Sequence, residues 1–259
     1  MRRSKRVAVC LAVVFGCSAV ASESASALSP PEFGQCVKAA ISGSGAYKGD
    51  KCTNPTGVLN FEWLPGAKEG SGMTSTTSVT FETVSNRKIR CAGEDGEDQY
   101  DGTKTVAAVM IFTGCQMSSA YTCTSTGYNA GDIVSNGSGG WLEGELGVEK
   151  VGAMLVNDKL ALDFKPATGT EFLEPFTCTN GDSWNVRGEL MVPVEKNKMQ
   201  TTTHWAFDQM GGKQMPEKFA SGGLHILEGS LNGGGWKQMG VKFTADDSVS
   251  EMIEANSAY

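Results

Sequence analysis

Two histidines, His204 and His225, are the only imidazoles in the 259-residue chain, so any base or metal chemistry that needs one must use them. Histidine is the side chain that most readily trades protons near neutral pH, and its neutral ring is the commonest metal ligand. His204 falls in Thr201-Thr202-Thr203-His204-Trp205, opposite in parity to Trp205, which sends it toward solvent. His225 lies between Leu224 and Ile226 on an expected strand and reads as structural. No G-x-S-x-G, H-E-x-x-H or helix-opening G-x-G-x-x-G occurs. Gly211-Gly212-Lys213 is followed by Gln214 and so forms no phosphate loop. No cofactor and no metal site are expected.

Carboxylates and tryptophans remain. Two flanking carboxylates are the minimum for glycoside hydrolysis. Glu143 and Glu145 share a strand face, while Glu189 shares one with Arg187, and Glu228 lies on a later strand. A secreted glycan-active hydrolase would draw on two of these four. Glu94, Asp95, Glu97, Asp98 and Asp101 crowd the segment 93–102 with hard oxygen ligands. Calcium-loop spacing fails there, because Tyr100 stands where glycine is needed and Val106 where the bidentate glutamate belongs. The expectation is a solvated hairpin loop. Among the tryptophans, Trp184 and Trp205 alternate with apolar residues and belong to a core. Trp236 follows Gly233-Gly234-Gly235 and Trp141 follows Gly139-Gly140, so these two are the candidates to meet a ligand, with Glu143 and Glu145 beside Trp141.

Residues 1–27 have the form of a secretory signal: Arg2, Arg3, Lys5 and Arg6, an apolar stretch from Val7 to Val20, then Ala25-Ser26-Ala27. Val14-Phe15-Gly16-Cys17 loosely resembles a lipoprotein box that would anchor the chain through Cys17, although Phe15 fits it poorly. The next longest apolar run, Val106 to Phe112, is too short to cross a membrane. Without the leader, 18 basic residues face 28 acidic ones, a net −10 that opposes binding to nucleic acid. Six cysteines remain, and an even number in an exported chain points to three disulfides. Cys36–Cys52 is the favoured pair, closing a glycine-rich segment within 28–56. Cys115–Cys123 and Cys91–Cys178 complete the expected set among 15 possible pairings.

The elements that must hold these residues are strands. Val79 and Phe81 alternate with Thr80 and Glu82. From Trp184 to Val192 a single strand is expected, with Trp184, Val186, Gly188, Leu190 and Val192 on one face. The 33 glycines punctuate such runs as turns. Helix is expected only from Pro30 to Ala40, with prolines at its start, and Ser250 to Ala255 leans to strand. No linker divides residues 28–259. The expectation is one all-β secreted domain, an antiparallel sandwich or barrel with Gly-rich turns, disulfides and little helix.

Pro31-Glu32-Phe33-Gly34-x-Cys36 with Cys52, Phe61-Glu62-Trp63-Leu64-Pro65-Gly66, Thr113-Gly114-Cys115, Leu142-Glu143-Gly144-Glu145-Leu146-Gly147 and Asn197-Lys198-Met199 follow one another along the chain. In this order they resemble a paralogue-rich group of exported proteins from high-GC Gram-positive (actinobacterial) soil bacteria, whose own function is unknown. The resemblance covers nearly the whole chain after the leader. It implies an exported β-rich protein and brings no activity, ligand or catalytic residue with it. The functional expectation is a non-catalytic β protein with a binding or structural role at the cell surface or envelope, whose partner is an extracellular glycan or an envelope protein.

Overall fold

A computed structural model describes residues 31–66, 69–136, 141–151, 154–195, 198, 200–219 and 223–256. The leader with Cys17, Gly139-Gly140, and Asn197 and Met199 lie outside the described residues. In chain order the strands are β1 (Glu32–Lys38), β2 (Phe61–Pro65), β3 (Glu69–Ser75), β4 (Val79–Thr83), β5 (Lys88–Cys91), β6 (Gly93–Tyr100), β7 (Thr105–Thr113), β8 (Gln116–Met117), β9 (Tyr121–Ser125) and β10 (Ile133–Val134). They continue with β11 (Leu142–Val151), β12 (Met154–Pro166), β13 (Glu171–Cys178), β14 (Ser183–Gly188), β15 (Leu190–Val194), β16 (Gln200–Met210), β17 (Lys213–Met215), β18 (Leu227–Leu231) and β19 (Lys237–Asn256). No helix is found among the described residues, and every pairing is antiparallel.

Eight strands close a barrel in the order β19, β3, β6, β7, β11, β12, β15, β16 and back to β19. A second set of pairings also returns on itself: β9, β13, β14, β18, β19, β4, β5, β8 and back to β9. β19 belongs to both. Lys237 to Lys242 pair in the second ring and Phe243 to Val249 in the barrel. Its last residues, Glu254 to Asn256, pair with β1, which in turn carries β2. Strict alternation fills both interiors. Val106, Ala108, Met110 and Phe112 of β7, Leu160, Leu162 and Phe164 of β12, and Trp205 and Phe207 of β16 are buried in one apolar cluster with Phe81, Trp184 and Val241. Phe112 meets Phe81 edge-on at 4.9 Å and Phe243 at 5.8 Å, so aromatic contacts run from one ring into the other.

Several sequence expectations are overturned. The segment from Pro30 to Ala40 is not helix: Glu32–Lys38 is a strand paired on both edges, with Phe33 edge-on to Tyr100 at 5.0 Å. Non-local pairing outweighs the local proline signal. The run from Trp184 to Val192 is two strands, because the chain leaves the second ring at Gly188 and enters the barrel at Leu190. Gly188 has φ +105°, and a Cβ there would lie 2.1 Å from the Ile226 carbonyl oxygen, so the crossing requires glycine.

The acidic segment 93–102 is no solvated loop. Gly93–Tyr100 is strand β6, whose alternation turns Glu94, Asp98 and Tyr100 into the barrel and leaves Asp95, Glu97 and Gln99 outside. The Tyr100 hydroxyl donates to buried Asp247 at 2.6 Å. Gly96 makes room for the Glu94 carboxyl: a Cβ at this position would come within 2.7 Å of Oε1. Both Glu94 oxygens are enclosed without a hydrogen-bond partner among the described residues. Burial, reinforced by the nearby charges of Asp95 and Asp98, pushes this carboxyl up to about 9.

The disulfides are Cys36–Cys52, as expected, together with Cys91–Cys115 and Cys123–Cys178. The expected Cys115–Cys123 and Cys91–Cys178 pairs are therefore exchanged. Cys123 and Cys178 stand directly opposite on β9 and β13, and Cys91 ends β5 just where β8, preceded by Cys115, pairs with it. Strand partnership fixes the bridges, and proximity along the chain does not. Peptide mapping of the unreduced protein should recover these three linkages; a Cys115–Cys123 peptide would refute the register of the second ring.

Glu94 also predicts a pH slope. An unfolded glutamate titrates near 4.3, whereas the folded one holds its proton to about 9. Between about pH 5 and 9 only the unfolded chain gives up this proton, so the group costs about 1.4 kcal/mol of stability for each unit of rising pH. Urea unfolding at pH 5, 7 and 9 should show Glu94→Gln flattening the decline, with the largest gain over wild type at pH 9.

Candidate functional site

Alternation along the strands decides which side chains the outer wall presents. Alternation along β11 buries Leu142 and Leu146 and turns Glu143 and Glu145 outward, with Trp141 just before them on the same side. The same rule exposes Glu97 and Gln99 on β6 and Ser248 on β19. Register lines these up across the wall: Val109 opposes Glu97, Glu97 opposes Gly72, and Gly72 opposes Ser248. Glu143 opposes Ala107, whose other neighbour is Gln99. The result is a shallow groove of about 530 Å³ lined by Gly72, Glu97, Gln99, Trp141, Ser248 and Ser250, with Asp98 and Val249 between them. Gly72 leaves the floor without a side chain. Half-buried Trp141 supplies the one aromatic surface, and carboxylate, amide and hydroxyl groups surround it.

Trp236 is elsewhere, immediately before β19 beside the second ring. The Arg187 guanidinium stacks over its ring at 4.1 Å, and both Nε and Nη2 of Arg187 donate to Glu228 Oε2, at 3.0 and 2.8 Å. One face of the indole is therefore covered, and Trp236 and Trp141 do not share a site. Trp184 and Trp205 are core, as their spacing implied, and Trp63 donates its indole N–H to Glu32.

The histidines take different positions. His204 faces solvent and pairs with Asp246 across β16 and β19 at 2.5 Å. His225 is not on a strand. It lies in the segment before β18, where Nδ1 is 2.7 Å from Asp163 Oδ2 and 2.6 Å from Glu189 Oε2. Asp163 projects from the outer face of β12 yet is 3% exposed, with His225 against it and Phe219 packed on the imidazole. Burial pushes Asp163 up to about 6; His225 and, more weakly, Lys165 pull it down, while Glu189 raises it. Sequence reading missed this cluster because positions 163, 189 and 225 follow no local spacing. Only the crossing at Gly188 and the fold-back before β18 bring them together.

Of the four glutamates weighed for hydrolysis, Glu143 and Glu145 share the outer face of β11, and three of the four have a basic partner. Glu228 is held by Arg187, Glu189 by His225, and Glu145 lies 3.6 Å from Lys165. Glu143 stays exposed beside the Trp141 groove. No protein-family model, curated protein or solved structure matches this chain. Function must therefore be argued from the sites themselves. A double-mutant cycle of Arg187→Ala and Glu228→Ala, followed by urea unfolding, should give a coupling below about 1 kcal/mol, the range of half-exposed ion pairs. A larger value would mean that the pair is structural rather than a cover for Trp236.

Proposed function

We propose that this is an exported, disulfide-tied β-barrel that acts outside the cytoplasm by binding, and that the Trp141 groove contacts a neutral, hydroxyl-rich glycan. The groove carries the reading: it joins a half-buried indole to Glu97, Gln99 and Ser248 on a floor opened by Gly72. An aromatic face packs on the C–H face of a sugar ring, while carboxylate and amide groups accept and donate to its hydroxyls. The acidic wall and the net negative charge disfavour an anionic polymer. Export is supported by the leader-like residues 1–27 and by three disulfides, which persist in oxidising compartments. The resemblance of the motif order to exported actinobacterial proteins points the same way.

Glycan-array screening followed by calorimetry should find a neutral polysaccharide ligand. Trp141→Ala should weaken it at least about tenfold, the loss of about 1.4 kcal/mol, and Trp236→Ala should leave it unchanged. Absence of binding to every neutral glycan, or wild-type affinity in Trp141→Ala, would sink the reading.

A further inference from the structure

Asp163, Glu189 and His225 reach one point from three separate parts of the chain: β12, the crossing between β14 and β15, and the segment before β18. Their ligand atoms all lie within 4.8 Å of one another. We propose that these three side chains bind a divalent metal ion of the zinc class, through His225 Nδ1 and one oxygen from each carboxylate.

The hydrogen bonds alone leave the cluster poorly balanced. A single imidazole nitrogen carries one proton, yet two carboxylates converge on it at 2.6 and 2.7 Å. Asp163 is almost wholly buried, and its second oxygen, Oδ1, has no hydrogen-bond partner among the described residues. Lys165, two residues along β12, is directed to Glu145 at 3.6 Å. One proton shared by two carboxylates leaves net negative charge in an enclosed place, which is costly. A divalent cation neutralises both carboxylates at once.

The donor set selects the ion. Calcium seeks six to eight oxygens, and magnesium keeps an octahedral shell of oxygens and water. One nitrogen with two carboxylates suits zinc or a neighbouring transition metal, and three protein ligands leave a fourth position for water. Glu189 is about one-third exposed, which provides a path for entry. The ion would fasten the segment covering β12 to the place where the chain passes between rings.

The test uses the full-length protein with its disulfides intact, Cys10 and Cys17 alkylated, and metal removed by chelation and dialysis. Calorimetric titration should find one Zn2+ per chain, and Co2+ should give visible bands of a four-coordinate site. Asp163→Asn and His225→Gln should each weaken Zn2+ more than about 100-fold, beyond the loss caused by removing an outer-shell partner. If Asp163→Asn does not fold, the exposed ligand change Glu189→Gln serves instead. His204→Gln, which removes the other imidazole, should bind as wild type, and Ca2+ or Mg2+ should not compete. Failure of the folded wild-type protein to bind Zn2+ stoichiometrically would overturn the site. So would binding that survives His225→Gln.

Discussion

β19 is paired on both edges for most of its length, and the rest of the molecule is arranged around that constraint. One edge meets β18 and then β16; the other meets β4, β3 and finally β1. Twenty residues at about 3.3 Å each make a strand of roughly 65 Å, far beyond the usual length. A strand that long can serve two rings in succession without a turn. Its inward residues Met239, Val241, Phe243, Ala245 and Asp247 pass continuously from one interior to the next. This is why the apolar cluster is continuous across both rings.

Closed rings dispose of exposed edges, and one apolar cluster runs through both interiors. On the outside of the wall, alternation decides which side chains are offered. On the β3–β6–β7–β11 face it offers Trp141 with acidic and hydroxyl groups. On the β12–β15 face it offers Asp163 beneath His225. The two sites lie on the same barrel but differ in burial, the first an open surface and the second an enclosed point.

Alternation was readable wherever it was local. The all-β class, the burial of Trp184 and Trp205, the outward turn of His204 and the strand at the C-terminus all follow from period two. The failures share one physical cause, which is that partnership between distant strands carries no local signature. An acidic run with glycines looks like a loop until β3 and β7 flank it, and then every second residue must face inward whatever its charge. The same applies to the disulfides. Cys36–Cys52 closes a pliable local segment and was legible, whereas Cys123–Cys178 depends on β9 meeting β13. Trp141 and Glu143 could be singled out from flanking glycines and strand parity. Their companions Glu97, Gln99 and Ser248 required the register, and the His225 cluster required the break at Gly188.

The central claim is that one strand makes a cooperative unit of two rings, and native-state hydrogen exchange of β19 tests it most directly. Amides from Met239 to Asp247 should exchange together, among the slowest in the protein, because opening either ring requires the shared strand to come free. If the amides of 237–242 exchanged orders of magnitude faster than those of 243–249, the rings would open independently and the claim would be contradicted.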